Sequence, residues 1–168
     1  MNRFAWMPVL ALAAALMAPA HAEDLVKVSD AWVRATVKGQ MATGAFMTLT
    51  AHADARLVGA QSPVAGVAQV HEMKMDAGVM KMAEVQGGLP LPAGKPVALK
   101  PGGFHVMLMD LKASLVKDST VPVTLIFEDA KGAEFKTDIT LPVRATPPAG
   151  GMAMPAHDHG AHGMKSKP

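Results

Sequence analysis

Two short segments carry closely spaced histidines and methionines, the side chains of this sequence best suited to bind a metal ion. They run from His71 to Met82 (HEMKMDAGVMKM) and from Phe104 to Met109 (FHVMLM). Thioether sulfur is soft, uncharged and not protonated near neutral pH, so it favours Cu(I), whereas carboxylates favour harder ions. The sequence contains no cysteine, which excludes thiolate zinc sites and the blue-copper centres of electron-transfer proteins.

The first segment predicts a β-hairpin that turns over Ala77-Gly78. If residues 76 and 79 face each other across this turn, four methionines form two cross-strand pairs, Met73 with Met82 and Met75 with Met80. His71 then lies on the same face, diagonal to Met82, because side chains alternate between the two faces of a strand. Directly facing Cβ atoms lie about 5 Å apart, within reach of a shared ion. A shift of one residue would place the ligands of the two strands on opposite faces.

The second segment predicts a strand with His105, Met107 and Met109 on one face and apolar side chains on the other. Such a strand is a rigid support for a His-x-Met pair. Glu72 is expected on the opposite face of its own strand from His71, which disfavours hydrolytic zinc chemistry. Four further methionines fit core packing as well as metal ligation, and the sequence leaves both open: Met73, Met75, Met80 and Met109.

Between residues 25 and 143 the sequence predicts short strands separated by turn signals rather than helices. The predicted strands are 25–37, 44–50, 56–61, 68–75, 79–85, 97–99, 104–108, 121–128 and 135–141. This spacing predicts an all-β fold, a Greek-key sandwich or barrel. The segment from Leu111 to Lys117 fits either a helical turn or a loop.

The two ends of the chain differ in composition from this domain. Residues 1–22 have a basic start, an apolar alanine-rich stretch and the small residues Ala20 and Ala22, which together predict a signal peptide cleaved after Ala22 and export to the periplasm. No cysteine lies near the cleavage point, which argues against a lipid anchor, and no later segment is apolar enough to span a membrane. The domain is therefore expected to cover residues 23–144.

Residues 145–168 form a tail rich in Pro, Gly, Met and His, which predicts disorder in the absence of a ligand. Its possible metal ligands are Met152, Met154, His157, His159, His162 and Met164. Imidazole nitrogen binds Cu(II) well, so the tail is expected to bind Cu(II) while the domain binds Cu(I).

The spacing of the ligands is specific. His71 is followed after ten residues by Met82, and after a further twenty-two by His105-Val106-Met107. This pattern, with supporting stretches such as Gly44-Ala45-Phe46-Met47, resembles the periplasmic copper chaperone family PCu(A)C. The resemblance covers about residues 29–143. It implies a cupredoxin-like β-sandwich in which His71, Met82, His105 and Met107 bind Cu(I).

The same resemblance implies a carrier that delivers copper for cytochrome c oxidase assembly, with the oxidase copper site or a thiol-bearing copper assembly protein as its partner. The alternative is a periplasmic copper buffer or tolerance protein without a dedicated client. Positive and negative residues nearly balance, at 16 Lys and Arg against 14 Asp and Glu, so no nucleic-acid surface is expected. The sequence shows no arrangement of a nucleophile beside a base, so no enzymatic activity is expected, and the protein is expected to be a monomer.

Overall fold

The computed structural model describes residues 25–148, and within that range it contains ten β-strands and no helix. In chain order they are β1 (Val26–Arg34), β2 (Ala42–Ala51), β3 (Ala55–Gln61), β4 (Ala65–Asp76), β5 (Val79–Glu84), β6 (Leu89–Leu91), β7 (Pro96–Leu99), β8 (Phe104–Leu111), β9 (Thr120–Asp129) and β10 (Glu134–Arg144). The predicted all-β fold is confirmed. The predicted signal peptide and nearly all of the predicted tail lie outside the described residues.

The strands join in the order β5-β4-β8-β2-β1-β10-β9-β3-β6, and β7 pairs with β2 outside this path. Most neighbours are antiparallel, but β1 and β10 run parallel where Val33 and Arg34 lie beside Val143 and Arg144. This junction joins the half of the sheet that contains β4, β8 and β2 to the half that contains β9 and β3. The two halves enclose one core, since Val106 of β8 and Phe127 of β9 belong to the same buried cluster. No helix among residues 25–148 has the length and apolar character needed to cross a bilayer.

The core follows from the period-two pattern that predicted the strands. Along β9 alternate side chains are buried, namely Val121, Val123, Leu125 and Phe127. Full burial of side chains of this size contributes about 1.5–3 kcal/mol each. Nine of the ten strands correspond to predicted ones.

The tenth, β6, falls between the predicted strands 79–85 and 97–99, where Gly87-Gly88, Pro90 and Pro92 predict a turn. Proline cannot donate a ladder hydrogen bond, but it is tolerated on an edge strand. β6 is the edge strand beside β3, and Leu89 and Leu91 on either side of Pro90 are buried. The prediction was therefore wrong at this position. The segment after Leu111 is a loop that buries Leu115.

A β-bulge in β1 changes which face its side chains occupy. The pairing with β2 shifts by one residue between Ser29 and Trp32, and Asp30 adopts a left-handed conformation with φ of 52°. A bulge adds one residue to one strand and so reverses the alternation beyond it. As a result Trp32 lies beside Phe46 on the outer face of the sheet, while Val33 points into the core.

Candidate metal centre

Two histidines that are distant in sequence face each other across neighbouring strands. His71 of β4 pairs directly with His105 of β8, and on its other side with Glu84 of β5. The two imidazole centroids are 6.0 Å apart with ring planes inclined by 60°. At the bond length of about 2.0 Å typical of imidazole nitrogen on a metal ion, each ring centroid lies about 3 Å from the ion. The observed separation of the centroids is thus at the upper limit for two rings that share one ion.

Hydrogen bonds to the two rings leave one nitrogen free on each. The His105 Nδ1 lies 3.0 Å from the carbonyl oxygen of Gly103, to which it donates, so Nε2 keeps its lone pair. The His71 Nε2 lies 3.2 Å from Oε1 of Gln69, whereas its Nδ1 is buried without a hydrogen-bond partner. A partner on one ring nitrogen fixes the tautomer and presents the other nitrogen to a metal. Nδ1 of His71 and Nε2 of His105 are therefore the available ligand atoms.

The surroundings of His71 keep it neutral. Burial lowers the pKa of the His71 imidazole below its ordinary value of 6.5, and the nearby His105 lowers it further, while Glu84 opposes both effects. A histidine must be neutral to coordinate a metal. Near neutral pH the lone pair of His71 is thus available without the cost of removing a proton.

The predicted pairing of the hairpin is confirmed. Met73 faces Met82, Met75 faces Met80, and the pairing runs from His71 opposite Glu84 to Asp76 opposite Val79. Ala77 and Gly78 form the two-residue turn, and both have positive φ, as a type I′ turn requires.

All four predicted domain ligands lie on one face of β5, β4 and β8. Met107 follows His105 by two residues on β8 and lies opposite Gln69 of β4. Met82 lies on the other side of the histidine pair, two residue pairs nearer to the hairpin tip than His71 and Glu84, and is 47% exposed. The structure thus brings the two histidines face to face and places one thioether on either side of them. That these four residues bind copper remains a prediction.

An aromatic cluster supports the site from β1 and β2. The Phe46 ring centroid is 6.2 Å from that of His105 and 4.7 Å from that of Trp32. The guanidinium of Arg34 lies 5.6 Å from the Phe46 ring centroid. Both aromatic side chains are buried, as is His105. In the sequence, Phe46 is recognisable only as part of a stretch that resembles the family, because its contact with His105 depends on the order of the strands.

Oxygen ligands are scarce at this site. Glu72 lies on the opposite face from His71, as expected from alternation, and forms an ion pair with Lys74 at 2.6 Å. In residues 25–148 no group of three or more His, Cys, Asp or Glu side chains is arranged to hold a metal ion. The acidic residue on the same face is Glu84, directly opposite His71. The ligands available beside the two histidines are therefore thioethers and this one carboxylate.

The remaining predicted residues fall into two groups. Met73 and Met109 are partly buried, while Met75 and Met80 are exposed, so core packing does not explain the latter two. The possible tail ligands lie outside the described residues. Two functional contacts were missed in the sequence, Gln69 and the Gly103 carbonyl. Gln69 could have been found, because it lies two residues before His71 on the same face.

Comparison with known proteins gives a consistent result. Residues 26–139 match the family model described as "Putative lipoprotein LpqE-like". A relative from Leifsonia xyli subsp. xyli (strain CTCB07), "Putative lipoprotein Lxx21020", is 40% identical over 118 residues, which are 70% of this chain and 71% of that protein.

Solved structures with the same fold include two copper-bound ones. The copper-bound PCuAC domain from PmoF2 is 26% identical with a TM-score of 0.55, over 73% of this chain and 94% of that domain. The Cu(I) form of DR1885 from Deinococcus radiodurans is 31% identical with a TM-score of 0.54, over 78% of this chain and 85% of that one. The resemblance stated from the sequence is therefore confirmed at the level of family and fold.

Proposed function

Because this chain belongs to the LpqE-like family and shares its fold with PCuAC copper-binding domains, we propose that it is a non-enzymatic copper chaperone. It binds Cu(I) through His71, Met82, His105 and Met107. The observation that carries this proposal is the direct pairing of His71 with His105, with a thioether on either side on the same face.

The chemistry of these ligands suits an ion that must be released again. Two neutral imidazoles and two thioethers add no negative charge, so the four ligands themselves do not neutralise the single charge of Cu(I); the acidic neighbour is Glu84, opposite His71. Soft thioethers favour Cu(I) over harder divalent ions. Met82 is about half exposed, so an incoming ligand can displace it while the better-buried His105 still holds the ion.

The test is a competition titration of Cu(I) against a chromophoric chelator under reducing conditions. We expect His71→Ala, His105→Ala, Met82→Leu and Met107→Leu each to weaken Cu(I) binding at least about tenfold, since even residues that only support a ligand contribute that much. Met41→Leu is the matched control, because Met41 is exposed and lies off this face. Unchanged affinity in both histidine variants would overturn the site.

We further propose that the protein acts in the periplasm and that its client is the copper site of cytochrome c oxidase or a thiol-bearing assembly protein. A thiolate is a stronger soft ligand than a thioether, so transfer to it is favourable. Under copper limitation, loss of a carrier should lower oxidase activity. Loss of a copper buffer should instead raise sensitivity to added copper and leave the oxidase unchanged, which would favour the alternative.

The tail is proposed to bind Cu(II) through His157, His159 and His162. Deletion of residues 149–168 should remove Cu(II) binding and leave Cu(I) affinity nearly intact. Equal Cu(II) stoichiometry in the full and shortened chains would show that the tail has no such role.

A further inference from the structure

The hairpin of β4 and β5 carries methionines that neither the core nor the four-residue copper site accounts for. Met75 is 66% exposed and Met80 is 46% exposed, whereas Met47, a true core methionine, is 2% exposed. A side chain that remains in solvent contributes little through burial. Burial in the described part of the chain therefore accounts for little of Met75 and for only part of Met80.

Their placement brings them together. Met75 and Met80 face each other directly, beside the pair of Met73 and Met82. Facing side chains in an antiparallel pair have Cβ atoms about 5 Å apart, and methionine has three rotatable bonds with which to turn its sulfur inward. Four thioethers thus form a ladder from the hairpin tip to His71.

Charges near this ladder do not oppose a cation. Lys74 and Lys81 face each other on the opposite side of the hairpin. Each is paired with a carboxylate, Lys74 with Glu72 and Lys81 with Asp76. The methionine side of the hairpin therefore presents sulfur and no lysine.

We propose that Met75 and Met80, with Met73 as their neighbour along β4, form a second site for a soft monovalent ion at the hairpin tip. A site made only of thioethers takes Cu(I) or Ag(I) and discriminates against harder ions. It has no imidazole, so it is the weaker site and fills after the histidine site. An ion bound there lies at the exposed end of the ladder, where it can exchange with the solvent. The site does not depend on the proposed role of His71 and His105.

The experiment is a titration of the full chain with Ag(I), followed by NMR of methionines labelled with ¹³C at the methyl group. Each methionine gives its own signal, so the domain and the tail are distinguished. We expect the Met82 and Met107 methyl signals to shift during the first equivalent and those of Met75 and Met80 to shift together as more is added. The proposal is overturned if Met75 and Met80 do not move while tail methionines do.

Variants separate the two sites. Met75→Leu with Met80→Leu preserves volume and apolar character and should abolish the later shift of Met73 while leaving the first-equivalent shifts intact. Met41→Leu is the control and should change neither. In His71→Ala with His105→Ala the tip signals should still shift, so failure of the copper site and failure of the tip site give different results. Persistence of the Met73 shift in the double leucine variant would contradict the proposal.

Discussion

Among residues 25–148, His71 lies in surroundings that favour its neutral form. Its Nδ1 is buried without a partner, its Nε2 is held by Gln69, and burial together with His105 lowers the pKa of its imidazole. An unpartnered buried nitrogen costs stability unless a ligand satisfies it. The metal-free domain is therefore less stable than it would be with an ion bound at this nitrogen.

This arrangement predicts how the stability of the metal-free protein depends on pH. Because the folded state lowers the pKa of His71, the unfolded chain binds more protons once the pH falls below about 6.5. The stability that comes from keeping His71 neutral is fully present above that pH. It is lost as the pH falls towards the lowered pKa of His71 in the folded state. Denaturant unfolding measured across this range should show a smaller loss of stability in His71→Asn than in the wild type. An identical slope in the two proteins would contradict the prediction, and His52→Asn, outside the site, is the control.

Gly44 is predicted to be required for the aromatic support of His105. A Cβ added at Gly44 would lie 2.7 Å from the Cζ atom of Phe46, so the ring would have to shift and its packing beside His105 would change. We expect Gly44→Ala to cost about 1–3 kcal/mol of unfolding free energy and to weaken Cu(I) binding.

Gly59→Ala is the matched control for this change. Its added Cβ would meet the Ile126 side chain at an ordinary distance of 3.7 Å. Denaturant unfolding and chelator competition on both variants provide the measurement. Equal effects of the two substitutions would show that the Phe46 contact is not needed.

At the scale of elements, the hairpin of β4 and β5 depends on its turn. Ala77 has φ of 48° and Gly78 has φ of 79°, a conformation that costs an alanine about 1 kcal/mol and that asparagine adopts more readily. Ala77→Asn should therefore raise the free energy of unfolding by about 0.5–1 kcal/mol in a urea titration. Ala83→Asn, within strand β5, should be neutral or destabilising because asparagine is disfavoured in strands. A lower free energy of unfolding in Ala77→Asn would show that the positive φ of Ala77 does not reduce the stability of the domain.

At the scale of the whole molecule, the candidate ligands come from three strands that assemble only in the folded state. An ion that binds the folded domain and not the unfolded chain stabilises it by about 2.7 kcal/mol at a free concentration of 100 times Kd. We expect Ag(I) to raise the Tm of the wild type, measured by circular dichroism. The rise should be largely lost in His71→Ala with His105→Ala, since an ion held equally by the tail of folded and unfolded chains adds no stability. A full rise in that variant would place the stabilising ion elsewhere.

The fold was largely predictable because each strand carries its own local signal. The alternation of apolar residues in β9 and the turn at Ala77-Gly78 are readable from a few neighbouring residues. The strand β6 could not be predicted because it contains Pro90. A proline is tolerated in a strand only where that strand lies at the edge of the sheet, which the sequence does not show. The bulge at Asp30 could not be predicted, since it is defined by the pairing of β1 with β2 rather than by β1 alone.

The sequence by itself determined the soft ligand types and the spacing of the motif. It also determined which hairpin residues share one face, namely His71, Met73, Met75, Met80 and Met82. Only the tertiary structure decided that β4 lies beside β8, which sets His71 opposite His105, and that Gln69 and Phe46 support these rings. The physical reason is that period-two alternation assigns each side chain to a face of its strand. Which strand lies next to it is decided by packing of the whole core, through contacts between residues far apart in the chain.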